Sequence, residues 1–346
     1  MNMKKHVSGF TLIELLVVVA VIAVLVSIMM PSLSEARKLA RTAVCGNNLR
    51  SISQAMNVYA SEWEGAILGN SHTTGSGLYN GNYTSFAPAI SASNVPTVLQ
   101  GNDWMSPTAQ AMGFHFNTGG APSDRIDRFM AFQNYKPFIC PENQWVSTTY
   151  TGSGGPNFPI HRVISYNAAA AFQNVNIKGS SISSFQGQFA IPNGWIQLPN
   201  EYRPNINRIG NPSQKVYMAD GGRWFSGGSG FLSMDDDGGL SSTSVGGLDQ
   251  DYGPWDNNTR AYNKGARGDG RVISMRHGSP IPFGTLSAYK FNLAFFDGHV
   301  ETMNGLDGSD PSLWMPSGSS VGVSEVTTQS DWRAKYLING NAPSIR

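Results

Sequence analysis

The sequence predicts an α+β fold: one long N-terminal helix packed on an antiparallel β-sheet, with long Gly/Ser/Asn-rich loops. Three observations carry this reading. Phe10–Met30 is a nearly unbroken apolar run, and apolar residues at helical spacing continue from it to Trp63. Short apolar runs near the C-terminus flank an Asp297-Gly298 dipeptide, the mark of a tight β-hairpin. Between them, 39 glycines among 346 residues, with abundant Ser and Asn, favour sheet and loop over a helical bundle.

The apolar run has the length of a membrane span, since about 20 helical residues cross a hydrocarbon core of about 30 Å. Lys4 and Lys5 flank its N-terminal side, which by the positive-inside rule leaves the N-terminus in the cytoplasm. Arg37, Lys38 and Arg41 on the far side oppose that orientation weakly. A secretory signal peptide is the rival reading, but Met29-Met30-Pro31-Ser32 does not supply the small residues its cleavage site needs.

One carboxylate, Glu14, interrupts the run. Burying it costs about 2.5–3.5 kcal/mol on insertion scales. Thr11-Leu12-Ile13-Glu14 fits an S/T-x-x-E capping box, which would close the first helical turn. Alternatively, removal of the leader after Gly9 would give Phe10 a free α-amino group. Glu14 of one subunit could then neutralise the Phe10 amine of the next and set the axial register between parallel helices.

Gly9-Phe10-Thr11-Leu12-Ile13-Glu14-Leu15-Leu16 resembles the prepilin (class III) signal of type IV pilins and type II secretion pseudopilins. The resemblance implies cleavage between Gly9 and Phe10 by a prepilin peptidase, N-methylation of Phe10, and Glu14 as the assembly carboxylate. It implies a single pass through the inner (cytoplasmic) membrane, a periplasmic or extracellular head, and assembly with other pilin or pseudopilin subunits into a pilus or secretion-type filament. The domain plan is then a leader at 1–9, a transmembrane and filament-core helix at 10–30, an amphipathic helix at 31–64 and a β-rich head at 65–346.

Pro31 lacks an N–H and is expected to bend or restart the helix. Beyond it Leu33, Ala36, Ala40, Val44, Ile52, Met56, Tyr59 and Trp63 form an apolar stripe ended by Gly65. The stretch 65–128 reads as loops, as does 227–270. Strands are expected at 162–167, 214–220, 292–296 and 299–303.

Cys45-Gly46-Asn47-Asn48-Leu49-Arg50 resembles the C-x-x-N-L-[KR] helix of large pilin-like proteins. Cys140-Pro141, Ser165-Tyr166-Asn167 and Pro212-Ser213 with Asp220 are similar to later blocks of that family. His277 with Asp297-Gly298-His299 resembles the ending known as the prepilin-processing-associated H-X9-DG domain, although nineteen residues rather than nine separate His277 from Asp297. His277 and Asp297 are expected to hydrogen-bond around the hairpin turn and hold Gly298, a structural rather than a catalytic role.

Composition excludes several classes. Without Lys4 and Lys5 the chain has 22 basic against 23 acidic residues and no long basic block, so nucleic acid is not an expected partner. H-E-x-x-H, G-x-S-x-G and the P-loop pattern are absent, and no enzymatic activity is expected. Outside the cytoplasm Cys45 and Cys140 could form a disulfide, the favoured reading, or remain two buried thiols. No cofactor is expected. Ca²⁺ is the one open option, through Asp235-Asp236-Asp237, through Asp249, Asp251 and Asp256, or through Asp307 and Asp310. A glycan- or polysaccharide-binding head is the alternative function, with Trp104, Trp145, Trp195, Trp224, Trp255, Trp314 and Trp332 as its aromatic surface.

Overall fold

The computed structural model describes residues 11–68, 104–118, 127, 130–143, 164–173, 176, 196–222, 250–251, 253–255, 272–273, 275–277, 287, 289–323, 326, 330–338, 340–341 and 345. It has the α+β architecture predicted above. Helix α1, Leu12–Glu62, is a single element of 51 residues. At about 1.5 Å per residue it measures about 75 Å. Pro31 lies inside it and does not restart it, a restart being one of the two outcomes expected of it. Its missing N–H leaves only the Ser27 carbonyl without an intrahelical donor, a cost the flanking turns absorb. Around it Ser27 and Ser32 turn their hydroxyls back onto Val24 O and Met29 O, at 2.7 and 2.9 Å. The helix stops where foreseen: the Gly65 N–H reaches Ala60 O at 2.7 Å, with Gly65 at φ +83°.

The buried residues of α1 are Cys45, Leu49, Ile52, Ser53, Ala55, Met56, Tyr59 and Ala60. Their i, i+4, i+7 spacing makes one stripe, and that stripe lies on the head. The head is built on β1 (Tyr166–Ala169), β3 (Val216–Gly222), β6 (Lys290–Phe295) and β7 (Val300–Asn304). Two short strands, β4 (Gln250–Asp251) and β5 (Val272–Ile273), complete a sheet of order β4-β1-β3-β6-β7, with β5 on β3. All pairings are antiparallel except β1 with β4. Tyr166 pairs with Asp220, Ala219 with Leu293, and Leu293 in turn with Glu301. Helix α1 crosses β6, β7 and β3, and Leu49, Ile52, Met56 and Tyr59 share one core with Tyr166, Met218, Leu293 and Phe295. Ser53, buried within that face, donates to Phe295 O at 3.0 Å.

A smaller ribbon pairs β2 (Ile196–Gln197) with β8 (Ser320–Val321). Helices α2 (Met105–Ala111), α3 (Pro311–Trp314) and α4 (Ser330–Tyr336) close the head. α2 packs on α1 within the stretch read as loop. It is short, has no side-chain N-cap and carries Pro107, so its sequence gives no helical period. β4 likewise falls inside the expected loop 227–270. The strand expected at 162–167 begins only at Tyr166. Ser165 instead sends its N–H to Phe138 O at 3.0 Å, and Arg162 and Val163 lie outside the described residues.

The hairpin β6–β7 is present with a three-residue loop instead of a two-residue one. Gly298 N–H donates to Phe295 O at 2.9 Å, Phe295 N–H to His299 O at 3.0 Å, and only Gly298 takes positive φ, +91°. This is a type I turn closed by a left-handed glycine, the usual three-residue solution.

Candidate functional site

Two regions carry the chemistry. At the N-terminus, Thr11 caps α1 with φ −85° and ψ 149°. The Thr11 N–H and hydroxyl both donate to Glu14 Oε2 at 2.8 Å, and the Glu14 N–H donates to Thr11 Oγ1 at 3.3 Å. The capping box is therefore complete, and both bonds to the carboxylate use the same oxygen. Gly9 and Phe10 lie outside the described residues.

From Leu12 to Leu33, sixteen large apolar side chains are exposed. Fully burying each is worth about 1.5 kcal/mol or more, so on the order of 25 kcal/mol of transfer free energy has no outlet in this chain alone. The apolar window of α1 is long enough to cross a membrane, and none of it is buried against the head.

The second region is the junction where α1 enters the head. Successive turns of α1 present Arg41, Thr42, Cys45 and Asn48 to it. Arg41 pairs with the buried Glu142 at 3.2 Å. Cys45 and Cys140 are disulfide-bonded, with Cα atoms 4.9 Å apart across 95 residues of sequence. Asn48 Nδ2 donates to Ile139 O and to the Tyr166 hydroxyl, both at 3.1 Å, and Tyr166 donates to Cys45 O at 3.3 Å. Burial, reinforced by the charge of Asp220, pushes the Tyr166 phenol well above its usual range and keeps it a neutral donor.

His277 also belongs to this junction. Its side chain is 2% exposed and that of Asp220 is 0% exposed, and Nε2 lies 3.0 Å from Asp220 Oδ2. Nδ1 lies 3.1 Å from Thr42 Oγ1, and the Thr42 hydroxyl proton goes to Lys38 O at 3.0 Å, so Nδ1 is the donor of that pair. Asp220 Oδ2 also accepts the Asn292 N–H at 2.7 Å. Beside it the buried Arg276 donates to Gly221 O. Burial lowers its guanidinium pKa, and the charges of Asp220, Tyr166 and Glu142 oppose that shift.

The expected His277–Asp297 pairing is thus corrected. His277 bridges Lys290 at the opposite end of β6 from the turn, while Asp297 Oδ1 lies 2.6 Å from His299 Nδ1 and accepts the His299 N–H at 3.1 Å. The partner missed in sequence is Asp220, although an acid closing the apolar run of β3 was a usable signal.

The other candidates fall as follows. Asp307 pairs with Lys335 and Asn304, and Asp310 caps α3 through the Ser312 N–H at 2.8 Å. Asp251 is described only as part of β4, and Asp235, Asp236, Asp237, Asp249 and Asp256 lie outside the described residues. Trp104, Trp255, Trp314 and Trp332 are buried and offer no aromatic surface. Trp314 and Trp332 donate their indole N–H groups to Gly308 O and Ser309 O, at 2.7 and 2.9 Å. Trp145, Trp195 and Trp224 lie outside the described residues.

No curated protein and no solved structure matches the chain. Residues 4–30 match the family model described as the prokaryotic N-terminal methylation motif. The chain therefore carries the prepilin-type N-terminal motif of type IV pilin-like proteins, on a helix long and apolar enough to cross a membrane.

Proposed function

We propose that this protein is a structural pilin-like subunit, of pseudopilin type, and not an enzyme. A prepilin peptidase cleaves it between Gly9 and Phe10, and Phe10 is N-methylated. The stem spans the cytoplasmic membrane once, with the leader inside and the head outside. On assembly the stems leave the bilayer and bury one another's apolar faces in a pilus or type II secretion-like filament. Glu14 Oε1, free of the capping bonds, accepts the methylated amine of a neighbouring Phe10.

The observation that carries this reading is the division of α1. Its first half exposes apolar side chains on all sides, whereas its second half buries one stripe in the head. A helix built only to support the head would not need the first half. Mass spectrometry of the N-terminus of membrane-extracted protein tests the proposal. Methyl-phenylalanine at position 10 is the expected result, and an intact Met1 or an end near Pro31 refutes it.

A further inference from the structure

The disulfide and His277 form one buried cluster. Among the described residues, the only group of three metal-capable side chains is Cys45, Cys140 and His277. Their two Sγ atoms and an imidazole nitrogen all lie within 4.8 Å of one another, and all three residues are buried. A chain is synthesised with both thiols reduced, so these sulfur atoms are free ligands until the bond closes. We propose that the reduced chain binds a single zinc-class divalent cation through Cys45 Sγ, Cys140 Sγ and His277, and that closure of the disulfide expels it.

Three observations support the site. First, two thiolates and one imidazole are a recurrent donor set for Zn²⁺, with metal–ligand distances of about 2.0–2.3 Å. A tetrahedral ion holds such ligands about 3.5–4 Å apart, so once the sulfur–sulfur bond is absent the two sulfurs part to that spacing, while the imidazole nitrogen already lies within 4.8 Å of both. Second, His277 Nε2 makes no hydrogen bond although it is fully buried, and the opposing Asp220 Oδ1 also has none. The Thr42 contact occupies Nδ1, so Nε2 is the nitrogen left to turn to a metal, 3.0 Å from an Asp220 oxygen with which it has no hydrogen-bond geometry. A cation between a buried imidazole nitrogen and an acid satisfies both. Third, charge balances. Arg41 faces Glu142 and Arg276 lies beside Asp220. A divalent ion on two thiolates adds no net charge to that interior.

The two states exclude each other by stoichiometry. Metal binding releases two thiol protons to solvent. Disulfide closure then removes two electrons from the two thiolates and frees the ion; a carrier disulfide outside the cytoplasm accepts the electrons, takes two protons from solvent and becomes a dithiol. The cation would hold Cys45 and Cys140 in register on the folding chain until that carrier acts.

The test uses the full chain in detergent micelles, reduced with a phosphine, desalted without oxygen and titrated with Co²⁺. Binding of one equivalent is expected, with near-ultraviolet sulfur-to-cobalt absorption of two thiolates, visible bands of a tetrahedral ion, and displacement by Zn²⁺. The air-oxidised chain should show none of this. Reduced His277→Ala should bind at least tenfold more weakly with altered visible bands, while its oxidised form keeps the wild-type circular dichroism. The proposal is overturned if the reduced wild-type chain binds Co²⁺ no better than the oxidised chain. It is equally overturned if His277→Ala leaves affinity and spectrum unchanged.

Discussion

Lys215 shows how strongly a single position can depend on its surroundings. It is 2% exposed, donates to Ser312 O at 2.7 Å, and burial depresses its pKa to about 8, against the opposing pull of Asp310. Its ordinary value is 10.5. Between these two values the unfolded chain holds a proton that the folded chain has released, so stability rises with pH across that window. Urea unfolding at pH 7.5 and 9.5 should show wild type gaining stability relative to Lys215→Met, which lacks the titrating group. Glu14 and the cysteine pair were legible in the sequence because each is rare in its context: an acid in an apolar run, and the only two thiols of the chain. The partner of His277 was not. Asp220 lies 57 positions away, and the pairing of β3 with both β5 and β6 brings it near.

Among elements, α1 and the β6–β7 hairpin were readable because their signals are local: period 3.6, a terminal glycine, and Asp-Gly between strands. The uninterrupted passage through Pro31 was not readable, since the penalty of one proline depends on what the surrounding turns contribute. Nor was the three-residue loop, because Asp-Gly suits either turn and the pairing of Ala294 with Val300 decides between them. That loop makes its own prediction. Gly298 sits at φ +91°, and a Cβ there would meet Asn57 Nδ2 at 3.4 Å. Gly298→Ala should therefore cost about 1–2 kcal/mol, chiefly from the left-handed backbone, read as a lower urea midpoint at unchanged slope.

For the whole molecule, the division between a bare apolar stem and a packed head separates insertion from assembly. Glu14→Ala leaves every head contact intact and removes an acid from the span, so the variant should be produced, inserted and processed as wild type is. Its recovery in sheared filaments should fall at least tenfold, because no carboxylate meets the neighbouring amine; wild-type yield would refute the role assigned to Glu14. The Cys45–Cys140 bond adds a mechanical consequence. A pull between the stem and anything beyond residue 140 travels through that covalent shortcut. Leu49, Ile52, Met56 and Tyr59, inside the bypassed loop, fasten α1 to the sheet through the core but lie off that covalent line.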